Sequence, residues 1–455
     1  MRTRIRARML SYLVPCALVG LALTALPAGP VHAAVDGMTI NMAVSGGAPT
    51  YRASGFIYGL SANGATPPLT LQTQIKVRQM RTGGSQTGCP NGGYVNGAYT
   101  ARWNIEKAYY ARATQSGAHL EMILAGLWGA DGVCNVPRWP GDNGNWTEYT
   151  SFINQVISDA KASGMTGSNV RWDMWNEPNG GFWGRSQAQY LEMIRRGTLQ
   201  IRAAIPGAVI EGPSCACQPT NSWFAAYLDY VKANNVVPNI LSWHSLPSDP
   251  ATDAANANSM LAARGMQVSG FDVNEYGAFG ADQQPGPSAW YIARLERCNC
   301  DGSRANWGMV GQTPSLYDTM GWLVTANTDQ PMGQWWVYKT YADQTGARTS
   351  ITPGVNNARD GVVFQDSSAR KSIALLGAAP PAATGAVDIR YNNIPSWLTS
   401  NGSVSVQVER MPSTNAYVSA PTVVSNGPVT VSGNSIDVTI NWTSALDAYA
   451  ITLTP

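Results

Sequence analysis

The sequence predicts an α/β protein: a (β/α)8 barrel of the TIM type followed by a C-terminal β-sandwich accessory domain. Three observations carry that expectation. From Ile57 to about Ala342 short apolar runs alternate with amphipathic stretches, the pattern of repeated strand-then-helix units. Near Asp343-Gln344-Thr345-Gly346 the helical period stops, and short alternating strands broken by Asn, Gly, Ser and Pro take over. The competing doubly wound sheet normally carries a Gly-rich phosphate turn after its first strand. The turn Gly59-Leu60-Ser61-Ala62-Asn63-Gly64 lacks that spacing.

At the N-terminus, residues 1–33 hold Arg2, Arg4, Arg6 and Arg8, an apolar run around Leu13 to Ala25, and Pro30-Val31-His32-Ala33 with small residues at the cleavage positions. This reads as a Sec-type secretory signal peptide, so a secreted mature chain is expected from near Ala34. Cys16 lies inside the apolar run without a lipobox-like context. Removing the segment takes four of the 30 basic residues and none of the 28 acidic ones, leaving 26 against 28, a net charge of −2. That balance disfavours a nucleic-acid partner. No later stretch approaches the roughly 18 continuous apolar residues of a membrane helix. Six cysteines remain, Cys89, Cys134, Cys215, Cys217, Cys298 and Cys300. In an oxidising compartment they read as up to three disulfides, with the 215/217 pair expected to join the 298/300 pair. A zinc site is the weaker reading, because the Cys-x-Cys spacing is too short and no His is near.

Residues 34–50 contribute a strand, Met38 to Val44, expected to join the sandwich because it has no other partner. The barrel is assigned to 51–345, with strand candidates at Phe56 to Ser61, Ile75 to Arg81, Leu120 to Leu127, Val170 to Trp175, Ala208 to Gly212, Ile240 to His244, Gly270 to Asn274 and Gln334 to Tyr338. Helical stripes separate them, as in Tyr149 to Ser163 (Phe152, Val156, Ile157, Ala160) and Gln187 to Ala204 (Tyr190, Met193, Ile194, Ile201). The sandwich, 346–455, is marked by Gly361 to Phe364, Ser403 to Val408, Val429 to Val431, Ile436 to Ile440 and Tyr449 to Thr454. The short junction implies that the two domains pack rigidly.

The chemistry concentrates in two segments. In Arg171-Trp172-Asp173-Met174-Trp175-Asn176-Glu177-Pro178-Asn179 the fourth strand runs into an Asn-Glu-Pro turn, whose proline fixes the carboxylate at the barrel rim. In Phe271-Asp272-Val273-Asn274-Glu275-Tyr276-Gly277 a second carboxylate ends the seventh strand. Side chains at the C-terminal ends of barrel strands face the active site. Two carboxylates converging there are what glycosidic bond cleavage requires. A Glu taken alone is more often a solvated surface residue, and the pair carries the reading.

These signatures resemble the clan A retaining glycoside hydrolases, and the layout is most similar to glycoside hydrolase family 39, which contains β-xylosidases, α-iduronidases, arabinofuranosidases and exopolysaccharide hydrolases. The resemblance covers nearly the whole mature chain. It implies a barrel followed by a sandwich that takes the N-terminal strand, Glu177 as acid/base, Glu275 as nucleophile and Asn176 bonded to the sugar 2-hydroxyl. Glu177 then needs a raised pKa, expected from Trp175 and the nearby charge of Glu275. Glu275 needs a cation beside it. The family's strand-two arginine maps onto Arg78, with Arg81, on the opposite face of that strand, as the fallback should the register differ by an odd number of residues. His244 resembles the family's strand-six histidine. The tyrosine that often follows it there is replaced by Ser245 and Leu246, so Tyr276 is the expected substitute beside Glu275.

The 16 Trp and 19 Tyr against 7 Phe suit sugar stacking. Trp128, Trp175, Trp183, Trp335 and Trp336 fall at or beyond expected strand ends, with core packing the alternative for each. Of the adjacent Trp335 and Trp336 only one can face a cavity. Asn63 is a further candidate partner for a sugar hydroxyl. Cys89, Cys134, Cys215 and Cys298 would staple loops around the cleft. Neither a cofactor nor a metal is expected. The substrate implied is an oligo- or polysaccharide of plant or microbial origin, with pentose-containing glycosides favoured by analogy alone. An endo-acting enzyme with an open groove and a non-catalytic carbohydrate-binding protein are the alternatives. An exported serine hydrolase is excluded by the lack of a Gly-x-Ser-x-Gly elbow.

Overall fold

The computed structural model describes residues 37–87, 92–132, 135–278, 280–305, 319–379, 382 and 384–455. The leader and the cysteines Cys89 and Cys134 lie outside these. In chain order the elements are β1 (Met38–Ser45), β2 (Gly55–Ile57), α1 (Leu69–Gln74), β3 (Gln79–Thr82), α2 (Tyr99–Ser116), β4 (His119–Ile123), α3 (Leu124–Trp128), α4 (Thr147–Ala162), β5 (Val170–Asp173) and α5 (Gln187–Ala204). There follow β6 (Val209–Cys215), α6 (Ser222–Ala233), β7 (Ile240–Ser245), α7 (Pro250–Ala262), β8 (Gly270–Tyr276), α8 (Pro285–Cys298), β9 (Asp301–Arg304) and α9 (Gly333–Asp343). The chain ends in β10 (Ala347–Thr352), β11 (Arg359–Asp366), β12 (Lys371–Ala378), β13 (Gly385–Asn392), β14 (Ser403–Met411), β15 (Thr422–Thr430), β16 (Ser435–Trp442) and β17 (Ala448–Thr454).

Strands β2 to β9 close into an eight-stranded barrel in sequence order, all neighbours parallel. The expected architecture is therefore present, with one correction. Gln334 to Tyr338 is not the eighth strand but part of helix α9, and the eighth strand is Asp301–Arg304. The reason lies in which face of the barrel is apolar. Phe56, Met80, Leu120, Trp172, Ile210, Trp243 and Val273 are buried against the surrounding helices. The alternate positions carry Gln79, Arg81, Glu121, Asp173, Glu211 and Asp272, equally buried, whose side chains bond to one another across strands. A barrel interior normally filled by branched apolar residues is here polar. A strand such as Asp-Gly-Ser-Arg then offers no apolar run to detect, while the aromatic Gln-Trp-Trp-Val-Tyr of α9 imitates one.

The other nine strands form one sheet in the order β15-β14-β17-β12-β11-β10-β1-β13-β16. Its side chains enclose a separate apolar core of Met38, Ile40, Ile389, Val406, Ile440 and Ile451 among others. The sheet bends over itself: Trp442 on edge strand β16 lies edge-on to Tyr449 of β17 at 4.8 Å and under the Arg359 guanidinium of β11. β1 sits between β10, antiparallel, and β13, parallel. The layer packs on helix α8, where backbones touch. A Cβ on Gly377 would lie 2.3 Å from the Gly286 carbonyl oxygen, so only glycine fits there. Arg294 and Arg297 of α8 both bind Asp360 of β11, and Trp290 Nε1 donates to the Asn357 carbonyl. No helix among the described residues is long and apolar enough to cross a membrane.

The cysteine pairing differs from expectation. Cys215 bonds Cys217 and Cys298 bonds Cys300, so each pair closes a three-residue loop and does not cross between β6 and α8. The two clusters end different barrel elements, and neither needs the other as a partner.

Candidate active site

The site is built on the C-terminal rim of the barrel, where Arg81, Asn176, Glu177, His244 and Glu275 meet. Met174-Trp175-Asn176-Glu177 follows directly on the end of β5 at Asp173. Glu177 has φ of +40°, a conformation side chains rarely adopt outside constrained sites. Its N–H donates to the Ser214 carbonyl at 2.9 Å and its carbonyl accepts from Gly180 at 2.9 Å. Trp175 turns away from the mouth, donates Nε1 to the Phe182 carbonyl at 2.8 Å and lies edge-on to Trp183 at 5.1 Å. It buttresses the turn and offers no sugar platform.

Glu275 reaches the mouth through irregularity in β8. The pairing with β7 slips between Ser242 and His244, and that with β9 between Val273 and Tyr276. Such a bulge lets consecutive residues face the same side, so Asn274 and Glu275 both point inward. Asn274 Nδ2 donates to Glu121 Oε1 at 2.6 Å and Ser214 Oγ at 2.8 Å.

Arg81 holds these parts together. Its Nη1 donates to Glu275 Oε1 at 2.7 Å, Nη2 to Asp173 Oδ2 at 2.7 Å and Asn176 Oδ1 at 2.9 Å, and Nε to Glu121 Oε1 at 2.8 Å. The guanidinium is completely buried, and its anionic partners hold it charged despite that burial. Arg78, the first-choice cation, is exposed. Arg78 precedes β3, which begins at Gln79, and the alternation that turns Gln79 onto Asp272 in the interior turns Arg81 inward with it.

His244 bridges the two carboxylates. Its Nδ1 is 2.9 Å from Glu177 Oε1 and its Nε2 is 3.7 Å from Glu275 Oε1. One oxygen from each carboxylate and a ring nitrogen lie within 4.8 Å of one another. Burial pushes the Glu177 carboxyl up, but the His244 bond and the His244 and Arg81 charges outweigh it and hold the group below the ordinary carboxylate value. This reverses the expectation of a raised Glu177, and the His244 bond is the cause. Glu275 goes the other way: burial raises it, with Glu177 adding repulsion, and His244 and Arg81 offset this only in part.

Beneath the rim lies a charged network. Arg171 binds Asp272 at 2.6 Å and Asp301 at 2.5 Å. Gln79 Nε2 donates to Asp272 at 3.0 Å and Ser303 Oγ at 2.7 Å. Burial pushes Glu121 and Glu211 far up and Asp272 up to about 7. The donor sets Glu177/His244/Glu275 and Glu121/Glu211/Asp272 have spacing that could suit a cation. In each, however, a guanidinium, Arg81 or Arg171, already binds a member and supplies the positive charge.

The other residues expected at the site lie elsewhere. Trp128 is fully buried in α3, stacked on Tyr94 at 5.7 Å and edge-on to Phe152 at 5.3 Å. Trp335 belongs to α9, buried, with Nε1 donating to the Leu71 carbonyl at 3.3 Å; Trp336 bonds the Val418 carbonyl. Trp183 is buried behind the β5 turn and bonds the Ser186 carbonyl. Tyr276 alternates away from Glu275, into the core, where its hydroxyl donates to the Ala53 carbonyl and meets Tyr338. Asn63 is exposed, its Oδ1 accepting from Ser61 Oγ and the Ala65 N–H of its own turn. Asp173, Ser214 and Asn274, which orient the rim, went unsingled in the sequence; the strand alternation that places Arg81 inward would have found Asp173.

Fold and rim together resemble one class, the clan A glycoside hydrolase scaffold with its carboxylates on the fourth and seventh strands. The comparisons agree with that class, and with the likeness to family 39. No family model matches the chain. It is 25% identical over 388 residues, 79% of its length, to a 3-O-α-D-galactosyl-α-L-arabinofuranosidase of Bifidobacterium longum. Over 69% of its length it is 23% identical to a 3-O-β-L-arabinopyranosyl-α-L-arabinofuranosidase of Bifidobacterium pseudocatenulatum. The chain spans only 30% and 36% of these relatives. Among solved structures, protein N2152 of Neocallimastix frontalis superposes with a TM-score of 0.75 at 25% identity, covering 92% of this chain and 98% of that one. A family 39 enzyme of Xanthomonas axonopodis shares the fold, with a TM-score of 0.60 at 14% identity over 94% of this chain and 99% of its own.

Proposed function

We propose that the chain is a secreted glycosidase that cleaves pentose-containing glycosides, arabinofuranosides foremost, by double displacement with retention of configuration. The observation that carries this reading is the approach of Glu177 and Glu275 oxygens to within 4.8 Å of each other. Retaining enzymes hold their carboxyl groups about 5–5.5 Å apart and inverting enzymes about 6.5–9.5 Å, and two carboxylates whose facing oxygens share one histidine support the shorter spacing. The pentose preference is supported by the arabinofuranosidase relatives. Export is supported by the arginine-rich, apolar N-terminal segment.

In this reading Glu177 protonates the glycosidic oxygen as Glu275 attacks the anomeric carbon, giving a glycosyl ester and a free alcohol. Water then bonds the anomeric carbon as Glu177 takes its proton, and the ester bond breaks to release Glu275 as a carboxylate. The low-lying Glu177 is compatible with that role once protons are counted over the pair. Carboxyl and ring share a proton along the 2.9 Å bond, and its movement to Glu177 supplies the acid form without net uptake of a proton. The competent form has that shared proton on Glu177 and none on Glu275. Arg81 opposes protonation of Glu275. By fixing Asn176 Oδ1, it also leaves Asn176 Nδ2 free to donate to a sugar hydroxyl.

The test is hydrolysis of a panel of aryl glycosides and plant polysaccharides, with product anomers followed by NMR, beside Glu177→Gln and Glu275→Gln. Retained configuration lost in both variants is the expected result. An inverted product would remove Glu275 as nucleophile, and turnover surviving in both variants would move the chemistry elsewhere.

A further inference from the structure

We infer that the cleft beside His244 is a subsite for a saccharide leaving group, walled by the Cys215–Cys217 loop; the inference rests on the reading of Glu177 as proton donor. The cleft has a volume of about 420 Å³, and its lining includes His244, Cys217, Gln218, Thr220 and Leu246. That size is in the range of small-molecule sites and accommodates a sugar ring.

Its position assigns the part of the substrate it takes. The loop after β6 is tied to the turn that carries the proton donor. Glu177 N–H donates to the Ser214 carbonyl, and Ala216 N–H donates to Asn179 Oδ1, both at 2.9 Å. His244, which lines the cleft, bonds Glu177 through Nδ1 at 2.9 Å, while its Nε2 stands 3.7 Å from Glu275, which does not line it. In the first displacement the Glu177 proton goes to the glycosidic oxygen, the bond from that oxygen to the anomeric carbon breaks, and the Glu275 oxygen bonds that carbon. The group that departs as a neutral alcohol leaves from the Glu177 side, and two residues that line the cleft are bonded to that side, His244 to Glu177 itself and Ala216 to Asn179.

Its chemistry assigns the kind of group. Among the described residues no Phe, Tyr or Trp lines the cleft, so an aryl alcohol finds no broad stacking surface there. Gln218 and Thr220 are exposed, with no side-chain hydrogen bond among the described residues. Asn221 uses Oδ1 to cap α6, accepting from the Trp223 N–H at 2.6 Å, and keeps Nδ2 free. The apolar surface is confined to half-buried Leu246, Ala216 and the buried edge of the disulfide at Cys217. Several polar groups around a small apolar wall suit a hydroxyl-rich ring. The disulfide closes the loop covalently, so the wall is ordered before the sugar arrives and less ordering entropy opposes binding.

The experiment compares kcat/KM on 4-nitrophenyl α-L-arabinofuranoside and on α-1,5-linked arabinobiose, which share a glycone and differ in leaving group. For Gln218→Ala/Thr220→Ala the expected result is a loss of about tenfold or more on the disaccharide, mainly in KM, with the aryl glycoside within about twofold of wild type. Cys215→Ala/Cys217→Ala, checked for folding by its melting temperature, should shift the two substrates apart in the same direction. Equal losses on both substrates, or an undiminished disaccharide rate, would overturn the assignment. Disaccharide hydrolysis surviving at the wild-type rate in Glu177→Gln would instead refute the catalytic reading, a result the cleft variants cannot produce.

Discussion

Replacing Arg81 with lysine tests the centre of the site, because it keeps the positive charge and removes the planar fork. Arg81 reaches Glu275, Asp173, Asn176 and Glu121 through three nitrogens, all at 2.7 to 2.9 Å. One ammonium on a flexible stem can serve one or two of these. At least two charge-assisted bonds are then lost, about 1.5–3 kcal/mol each, so stability should fall by about 3–5 kcal/mol. The same change weakens the influence that opposes protonation of Glu275. Glu275 is already raised by burial, and weaker opposition raises it further. A lost bond of this strength moves the acidic limb of kcat/KM up by about one to two pH units. Pre-steady-state release of nitrophenol and kcat/KM against pH on an aryl glycoside, together with a thermal melt, measure both effects. A folded variant that loses activity while its acidic limb stays in place would refute the claim that Arg81 acts on Glu275, and leave it a purely structural role.

Three further outcomes follow from the same geometry. Glu177→Ala should slow kcat/KM on glycosides with poor leaving groups by about 10²–10⁴-fold and spare kcat/KM on 2,4-dinitrophenyl glycosides while their kcat falls at deglycosylation, with azide restoring turnover and giving a glycosyl azide of retained configuration; no azide effect would remove Glu177 as acid/base. Asp272 lies at about 7 in the folded chain against an ordinary 3.8, so the native state binds the extra proton. Its contribution, at most about 4 kcal/mol, is present at acidic pH and lost as pH rises through 7; the melting temperature should fall from pH 5 to 8, less steeply in Asp272→Asn, and an unchanged slope in that variant would refute it. Trp335→Ala should cost several kcal/mol of stability by opening a cavity under α9 while KM on an aryl glycoside stays put, whereas a raised KM with an unchanged melt would return Trp335 to the site.

The sequence was most legible where apolar pattern and turn chemistry agreed. β5 and β8 combine an alternating run with Asn-Glu at a stop, and both rim carboxylates followed from that. It was least legible where the fold departs from the usual apolar barrel interior. β9 is Asp-Gly-Ser-Arg because Ser303 bonds Gln79 across the interior, so its function in the barrel erases the signal by which strands are found. Arg78 and Arg81 differ only in register, and a strand of four residues gives too few alternations to fix it. Trp128 and Trp335 sit near rim elements in sequence, yet a large ring finds more contact in the packed layer between helices than at an open mouth. The bulges that turn Glu275 inward leave no composition signal at all.

The polar interior that obscured these elements is also what positions the nucleophile. Glu275 is bound by Arg81, Arg81 by Asp173 and Glu121, Asp173 by Ser214, and Ser214 and Glu121 by Asn274, the residue before Glu275. The chain of bonds returns to the strand on which it began, so Glu275 is fixed through both its side chain and its neighbour. An apolar barrel of the same volume would be no less stable by general experience with buried ion pairs, but its layers could hold only the backbone of β8 and not the direction of a carboxylate. Four completely buried acids, Glu121, Asp173, Glu211 and Asp272, face the guanidinium groups of Arg81 and Arg171. Protonation of part of that set, already indicated by the raised Glu121, Glu211 and Asp272, leaves Arg81 with positive charge to spare for Glu275. The electrostatics of the interior and the ionisation of the nucleophile are therefore one equilibrium, and substitutions two layers below the rim should move the acidic limb of activity without touching the substrate.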